Sequence, residues 1–246
     1  MNTLLKLTWI EIKLFIREPI TMVFTFALPL LFLFVMGGVF GNVPEEGVFR
    51  DVGPLNYYTP AYIGLTIASI GLVSLPVHLT AYRERGVLRR LRASSISIWI
   101  IFGSQLIVTL IISAIGGALI FIAALLTYDV SQPESPLLIP PAFIISVFCF
   151  SAIGVFLGAM LPTTRAAQGI GMILFFVMLI LGGAGPPYEV MTKPMQYIGN
   201  ATPLHHVITL IQDPWLGFGW NNIELGIVVA FIAGAMLLSV LLFRWE

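Results

Sequence analysis

Five arginines stand within ten positions of this 246-residue chain, Arg83, Arg85, Arg89, Arg90 and Arg92 in "RERGVLRRLR", with Glu84 the one acid among them. They are nearly half of its 12 basic residues. Guanidinium groups at this density bind carboxylates or phosphates. Two partners suit them. Anionic lipid headgroups would be held at about 1 kcal/mol per basic residue. A soluble protein would instead meet an apolar face, and Val87, Leu88 and Leu91 offer one at i, i+1 and i+4, with Gly86 breaking the helix ahead of them. Glu84 favours the protein, because a surface tuned only for lipid needs no acid there.

No catalytic constellation is spelled out elsewhere. The three lysines, Lys6, Lys13 and Lys193, stand outside any G-x-x-x-x-G-K-[ST] pattern, so the chain carries no P-loop for a nucleotide. His205 and His206 are adjacent, project from different faces of a helix and lack the i,i+4 spacing of a metal pair. Capping or hydrogen bonding is their expected role, and no metal site is expected. Cys149 is the single cysteine and reads as a small apolar filler. No Asp, Glu or His lies at the centre of an apolar run, which argues against a proton relay. Net charge is zero, so bulk charge points to no nucleic acid.

The elements around the arginines are those of a membrane protein. Charged residues are 10% of the chain, against about 25% in soluble domains. Uncharged runs cover Pro19–Pro44, Val52–Tyr82, Ala93–Tyr128, Ser135–Thr164, Ala166–Tyr188 and Leu225–Phe243. A bilayer core needs roughly 20 apolar helical residues. The expected spans are therefore six, at about 20–41, 57–81, 97–127, 138–161, 167–183 and 223–243. The start is not a signal peptide, because charges interrupt its apolar stretch.

Basic residues mark the cytoplasmic side. Segments 1–18, 83–92, 162–167 and 244–246 share one side and hold ten of the 12 Lys and Arg, Arg165 and Arg244 included; Arg50 and Lys193 are opposite. The acids Glu45, Glu46, Asp51, Asp129, Glu134, Glu189, Asp213 and Glu224 lean the other way. Both termini are thus expected in the cytoplasm, in a multi-pass protein of the cytoplasmic membrane. Five arginines in a bilayer would cost on the order of 12–18 kcal/mol, so 83–95 is a cytoplasmic connection.

Residues 1–18 fit a helix on the membrane surface. Leu5, Trp9, Ile12 and Ile16 form an apolar stripe beside Lys6, Lys13 and Arg17. Pro29 should kink the first span. Gly154-x-x-x-Gly158 permits close helix contact and is a candidate dimer face. Residues 184–220 mix Gly and Pro with pieces too short to span, and read as two helices that dip into the outer leaflet and return. Trp215 and Trp220 are expected at the outer interface.

This arrangement resembles the type-2 permeases of ATP-binding-cassette (ABC) transporters along nearly the whole chain. "YRERGVLRRLRASSIS" is similar to the family's coupling segment, with Ser95 where proline is commonest. "GGAGPPYEVMTKPMQYIGNATPLHHVITLI", containing Pro187, Glu189, Pro194 and Pro203, resembles its re-entrant stretch. "DPWLGFG" resembles the loop that follows in drug-exporter members. The resemblance implies an all-α fold with a cytoplasmic amphipathic N-terminal helix, a coupling helix between spans two and three, and re-entrant helices before span six. It implies a second permease copy or paralogue, two separate ATPase subunits that bind the ATP and Mg, and no cofactor in this chain. Arg83, Glu84, Arg85, Gly86, Leu88, Arg89 and Leu91 would contact the ATPases, with Glu84 paired to a basic group and the leucines filling an apolar groove. The N-terminal helix, with Lys6, Trp9, Lys13 and Arg17, would share that role. Thr66, Ser69, Met172, Phe175, Phe176 and Met178 would line a pathway between the two halves.

The implied function is the non-enzymatic permease of an exporter for amphipathic or hydrophobic compounds such as drugs or lipids. A translocator of lipid-linked polysaccharide would want more aromatic residues along a wide channel. An ion-coupled secondary transporter would want inverted repeats or mid-span carboxylates. A non-transporting scaffold would not co-purify with an ATPase.

Overall fold

The computed structural model describes residues 3–44, 47–93 and 97–242, without the side chains of Arg89, Leu91, Arg92, Ile98 and Leu242. The expected Glu45, Glu46, Ser95 and Arg244 features lie outside the described residues. Among the described residues every regular element is helical: α1 Thr3–Ile16, α2 Pro19–Phe40, α3 Pro54–Glu84, α4 Val87–Ala93, α5 Ile98–Tyr128, α6 Ile139–Met160, α7 Thr164–Leu181, α8 Lys193–Asn200, α9 Pro203–Trp215 and α10 Asn222–Leu242. Helices α2, α3, α5, α6, α7 and α10 are long and apolar enough to cross a bilayer. The fold is that of a six-span, all-α membrane protein, as the apolar runs require.

Helix α3 is longer than the expected span at about 57–81. It begins at Pro54, where a missing N–H costs nothing. Asn42 Oδ1 accepts from the Leu55 and Asn56 amides at 3.1 and 3.2 Å, satisfying donors of its first turn. At the other end nothing breaks the helix until Gly86, whose φ of +65° turns the chain into α4. Arg83 and Glu84, expected in the connecting helix, therefore belong to the last turn of α3.

Two spans carry π-helical stretches, Val23–Ala27 in α2 and Ile70–Ser74 in α3. Each precedes a proline, Pro29 and Pro76. A proline ring cannot donate and crowds the carbonyl four residues back, and the wider turn relieves that clash. Ser69 Oγ lies 3.2 Å from Thr25 Oγ1, joining the two spans beside these stretches.

Helix α3 is the hub. Of its most apolar stretch 94% is buried, against 22% for α2, 28% for α7 and 17% for α10, so these three present outward faces. Gly154 and Gly158 of α6 are its close-contact points. A methyl on Gly154 would overlap the Gly71 carbonyl of α3, and one on Gly158 would sit 2.9 Å from Leu79 Cβ. The Gly-x-x-x-Gly face packs within the chain rather than offering a dimer surface.

Residues 182–222 form α8 and α9 with short connections, as their Gly and Pro content predicts. Helix α9 is buried against α3 and α10. Trp215, expected at the outer interface, lies instead inside the bundle, edge-on to Phe121 at 5.2 Å. Being i+4 from Ile211, it continues the inward face of α9.

Candidate coupling site

The end of the bundle that carries the arginines and α1 is built around the last two turns of α3. Arg83 and Glu84 point to different neighbours, being successive residues on one helix. The Arg83 guanidinium donates to the Gly158, Ala159 and Leu161 carbonyls, the first two at 3.3 Å. These are unsatisfied acceptors at the C-terminal end of α6, where a cation also complements the helix dipole. Glu84 does the opposite at the start of α7. Its carboxylate accepts from the Thr164 amide at 3.0 Å and the Thr164 hydroxyl at 2.6 Å. Thr163 Oγ1 accepts from the Ala166 amide (3.2 Å) in the same first turn. Glu84, expected to pair with a basic group, pairs with this helix start, because the short 161–164 turn lies directly across from it.

Helix α4 folds back against α1 and the start of α5. Leu88, expected to face a partner, is buried in a small core with Tyr82 and Ile101, flanked by Leu7, Leu14 and Val87. That burial is worth about 1.5–3 kcal/mol. Arg85 is exposed. The side chains of Arg89 and Leu91 lie outside the described residues.

Helix α1 is fixed by a buried polar knot. Its inward face is Leu4, Thr8, Glu11 and Phe15. Glu11 is 1% exposed and accepts from the Tyr82 hydroxyl at 2.6 Å. His78, one turn back along α3, places Nδ1 3.8 Å from Glu11 and Nε2 3.2 Å from Glu18. Thr21 donates to Glu18 at 3.1 Å. Burial pushes the Glu11 carboxyl above its ordinary range, against the pull of Tyr82 and His78. At Glu18 burial acts in the same direction, but the adjacent His78 and Thr21 outweigh it and hold the group below that range. Of the expected outer stripe Leu5, Trp9 and Ile16 are exposed, with Lys6, Lys13 and Arg17 beside them and Lys13 Nζ 5.2 Å from the Trp9 ring centre, whereas Ile12 is half-buried against the cluster of Phe15 and Ile70.

The structure joins Arg83 to α6 and Glu84 to α7, and seats Leu88 on α1. It places the other predicted residues elsewhere. Thr66 and Ser69 are fully buried, Thr66 against α5 at Gly116 and Ser69 against α2. Phe175 and Met178 are buried, Met172 is half-buried, and Phe176 is exposed on α7. Phe24 of the α2 π stretch packs edge-on against Phe175 and Phe176 at 5.5 and 5.7 Å. Pro187 precedes a short 3-10 turn at Tyr188–Val190 and Pro203 opens α9; both are buried, while Pro194 in the first turn of α8 and Glu189 are exposed.

Matching to known families settles the kinship. Residues 3–216 fit the model of the ABC-2 type transporter family. The chain belongs to that family. It is also 24% identical over 243 residues to the "Putative transport permease YvfS" of Bacillus subtilis (strain 168), covering 97% of this chain and 96% of the relative. The chain is thus a multi-pass membrane permease of an ABC transporter, a kind of subunit that works with an ABC ATPase.

Sequence reasoning missed Glu11, Glu18, His78 and Tyr82 as one cluster. A signal existed for part of it. Leu4, Thr8, Glu11 and Phe15 repeat at four, three and four residues, the same spacing as the apolar stripe beside them.

Proposed function

We propose that this chain is the transmembrane subunit of an ATP-driven exporter of amphipathic or hydrophobic compounds, a drug or a lipid. The carrying observation is the grip of Arg83 and Glu84 on the end of α6 and the start of α7. A segment expected to receive an ATPase is thereby joined to the spans that must move. In this reading the arginine-rich end is cytoplasmic and holds both termini. Two ATPase subunits bind there and hold the ATP and Mg; this chain supplies no catalytic group. A second permease copy or a paralogue lies alongside, on the outward faces of α2 and α7, where Leu31, Phe34, Ile173 and Phe176 are exposed. The pathway forms between the two permeases. Phe176 and Met172 reach it first, and Thr66, Ser69, Phe175 and Met178 only once α2 shifts. Anionic lipids meet the exposed Lys6, Lys13 and Arg17. The buried aromatic cluster of Tyr57, Tyr58 and Tyr62 serves packing, and so lends nothing to a polysaccharide channel.

The test is co-purification with the ATPase, measuring ATP turnover and transport together. Arg83→Ala and Glu84→Ala should retain the complex and its ATP turnover but lose export. Full export by both variants would overturn the coupling role. Cysteine in place of Arg165 should react with an impermeant thiol reagent only after cell lysis, in a Cys149→Ala background. Labelling on intact cells would overturn the orientation.

A further inference from the structure

At the end of the bundle opposite the arginines lies a polar cavity of about 190 Å³, lined by Arg50, Tyr57, Tyr188, Glu189, His205 and Gln212 among others. That is room for on the order of ten water-sized groups. Its wall is held firmly. Phe49, Arg50 and Asp51 all have positive φ, 54°, 57° and 62°, a costly conformation for such residues. It is imposed from two sides: Phe49 is buried against Phe40, Tyr57 and Tyr58, and Arg50 Nη1 pairs with Asp213 Oδ1 at 2.7 Å. The Arg50 guanidinium also covers the Phe218 ring at 4.2 Å.

The hydrogen-bond donors of this wall are largely spent on one another. The Tyr57 hydroxyl donates to Glu189 Oε2 at 3.1 Å and accepts from the Tyr188 amide at 3.2 Å. Gln212 Nε2 donates to the Tyr57 carbonyl at 2.8 Å, and the Thr209 hydroxyl to the His205 carbonyl at 3.0 Å. Arg50 is the exception, and its charge is answered by Asp213. What remains in excess is acceptor capacity: the Glu189 carboxylate, the Thr209 oxygen and the His205 ring. Burial, together with the neighbouring His206, lowers the His205 pKa to about 4, so this imidazole is neutral at pH 7 and opposes no cation. Among the described residues no cation pairs with Glu189. Arg50 is paired with Asp213, which leaves Glu189 as the cavity's carboxylate without an ion-pair partner among the described residues.

A pocket rich in acceptors and short of one positive charge fits a ligand that only donates. We propose that it binds a primary ammonium group, with the Glu189 carboxylate as counter-ion and Tyr57, Thr209 and His205 around it. The ammonium belongs either to a free organic amine or to an aminophospholipid headgroup. The site stands independently of the exporter reading, because its test measures binding and not transport.

The full-length permease is reconstituted in phosphatidylcholine nanodiscs and titrated with ethanolamine hydrochloride by saturation-transfer NMR, with ethylene glycol as the neutral control. Ethanolamine should bind and ethylene glycol should not. Glu189→Gln, at an exposed position, should weaken binding by about tenfold or more, as loss of a charge-assisted contact does. Glu189→Asp and the neighbouring Lys193→Gln should retain binding. Equal binding of ethylene glycol, no binding of ethanolamine, or an unchanged Glu189→Gln variant would each overturn the proposal. Nanodiscs containing phosphatidylethanolamine separate the sources. An ethanolamine signal from the parent protein that is lost in those nanodiscs identifies the lipid headgroup; a signal unchanged from phosphatidylcholine nanodiscs identifies a free amine.

Discussion

Replacing Tyr82 by Phe removes one oxygen and leaves Glu11 without the proton it accepts at 2.6 Å. Glu11 is 1% exposed, so water does not simply take the vacated place. An orphaned buried acceptor costs about 1–3 kcal/mol, and a charged one more. Tyr82 lies on α3 and Glu11 on α1, so the cost falls on the docking of α1 rather than on either helix alone. At about 2 kcal/mol the ratio of detached to docked α1 should rise roughly thirtyfold. Hydrogen exchange of the α1 amides in nanodiscs, followed by mass spectrometry, reads that ratio directly. The α6 and α9 amides serve as internal controls. Glu11→Met combined with Tyr82→Phe should recover part of the lost protection, because removing the carboxylate with its donor costs less than orphaning it, while His78 keeps Glu18 at 3.2 Å. Exchange in Tyr82→Phe within twofold of the parent would refute the reasoning. So would a double variant whose losses simply add.

The His206–Glu224 contact ties α9 to α10, with His206 Nδ1 2.5 Å from Glu224 Oε2 and Nε2 2.7 Å from the Asn200 carbonyl oxygen. Burial alone would lower the His206 pKa, but Glu224 and the Asn200 carbonyl outweigh it and raise the pKa above 6.5. A raised folded-state pKa gives stability that is complete below about pH 6.5 and lost as pH climbs through the higher folded value. The melting temperature in detergent should therefore fall over that interval, and Glu224→Gln should flatten the profile; a parallel profile in the variant would count against the contact. Gly154→Leu should destabilise the fold by about 1–3 kcal/mol or more through overlap with Gly71. Melting curves check this, and the oligomeric state of the folded fraction should stay unchanged, since the clash lies inside one chain. Leu88→Ala opens a cavity in the small core under α4 and should cost about 2–5 kcal/mol locally. Faster exchange in α4 with normal exchange in α6 is the expected signature.

The spans were legible because a bilayer demands about 20 apolar residues in a row, and that demand leaves a local trace. The short α8 and α9 were legible for the converse reason: prolines and glycines interrupt every run in 182–222. Glu11 was not, because the outward stripe of Leu5, Trp9 and Ile16 is the more apolar and draws the eye. Against lipid the usual logic inverts. Apolar side chains can stay outside, Leu5 and Trp9 each at 55% exposure, while the polar Glu11 must find partners within the protein. The partner of Gly154 was equally hidden, since a small residue permits close approach without naming the helix that approaches. Arg50 and Asp213 are 163 positions apart, and no local pattern links them. Arg83 and Glu84 stood out in the sequence as part of a charge cluster, yet their partners lie in the 158–164 region, which only tertiary structure brings near.

In the proposed coupling, those two residues are what lets the basic segment act on the spans. A cation on a helix C-terminus and an anion on a helix N-terminus are each stabilised by the dipole they face. Reversing their order along α3 would set both against their neighbours. Arg83 holds the end of α6 and Glu84 the start of α7, so the short turn between those helices is gripped on both sides by the helix that leads through Gly86 into α4. Leu88 seats α4 on α1, and Glu11 with Tyr82 seats α1 on the same helix. In the proposed coupling a push on α4 is passed through these contacts to α7. Farther along, α7 carries Phe175 and Phe176, which pack on Phe24 within a π-helical stretch of α2. Such a stretch already departs from the regular ladder and can change its turn at low cost. Under the proposed function the Glu84 variant is therefore read as ATP turnover against export: a broken grip would leave the ATPase docked and cycling while α7 stays still.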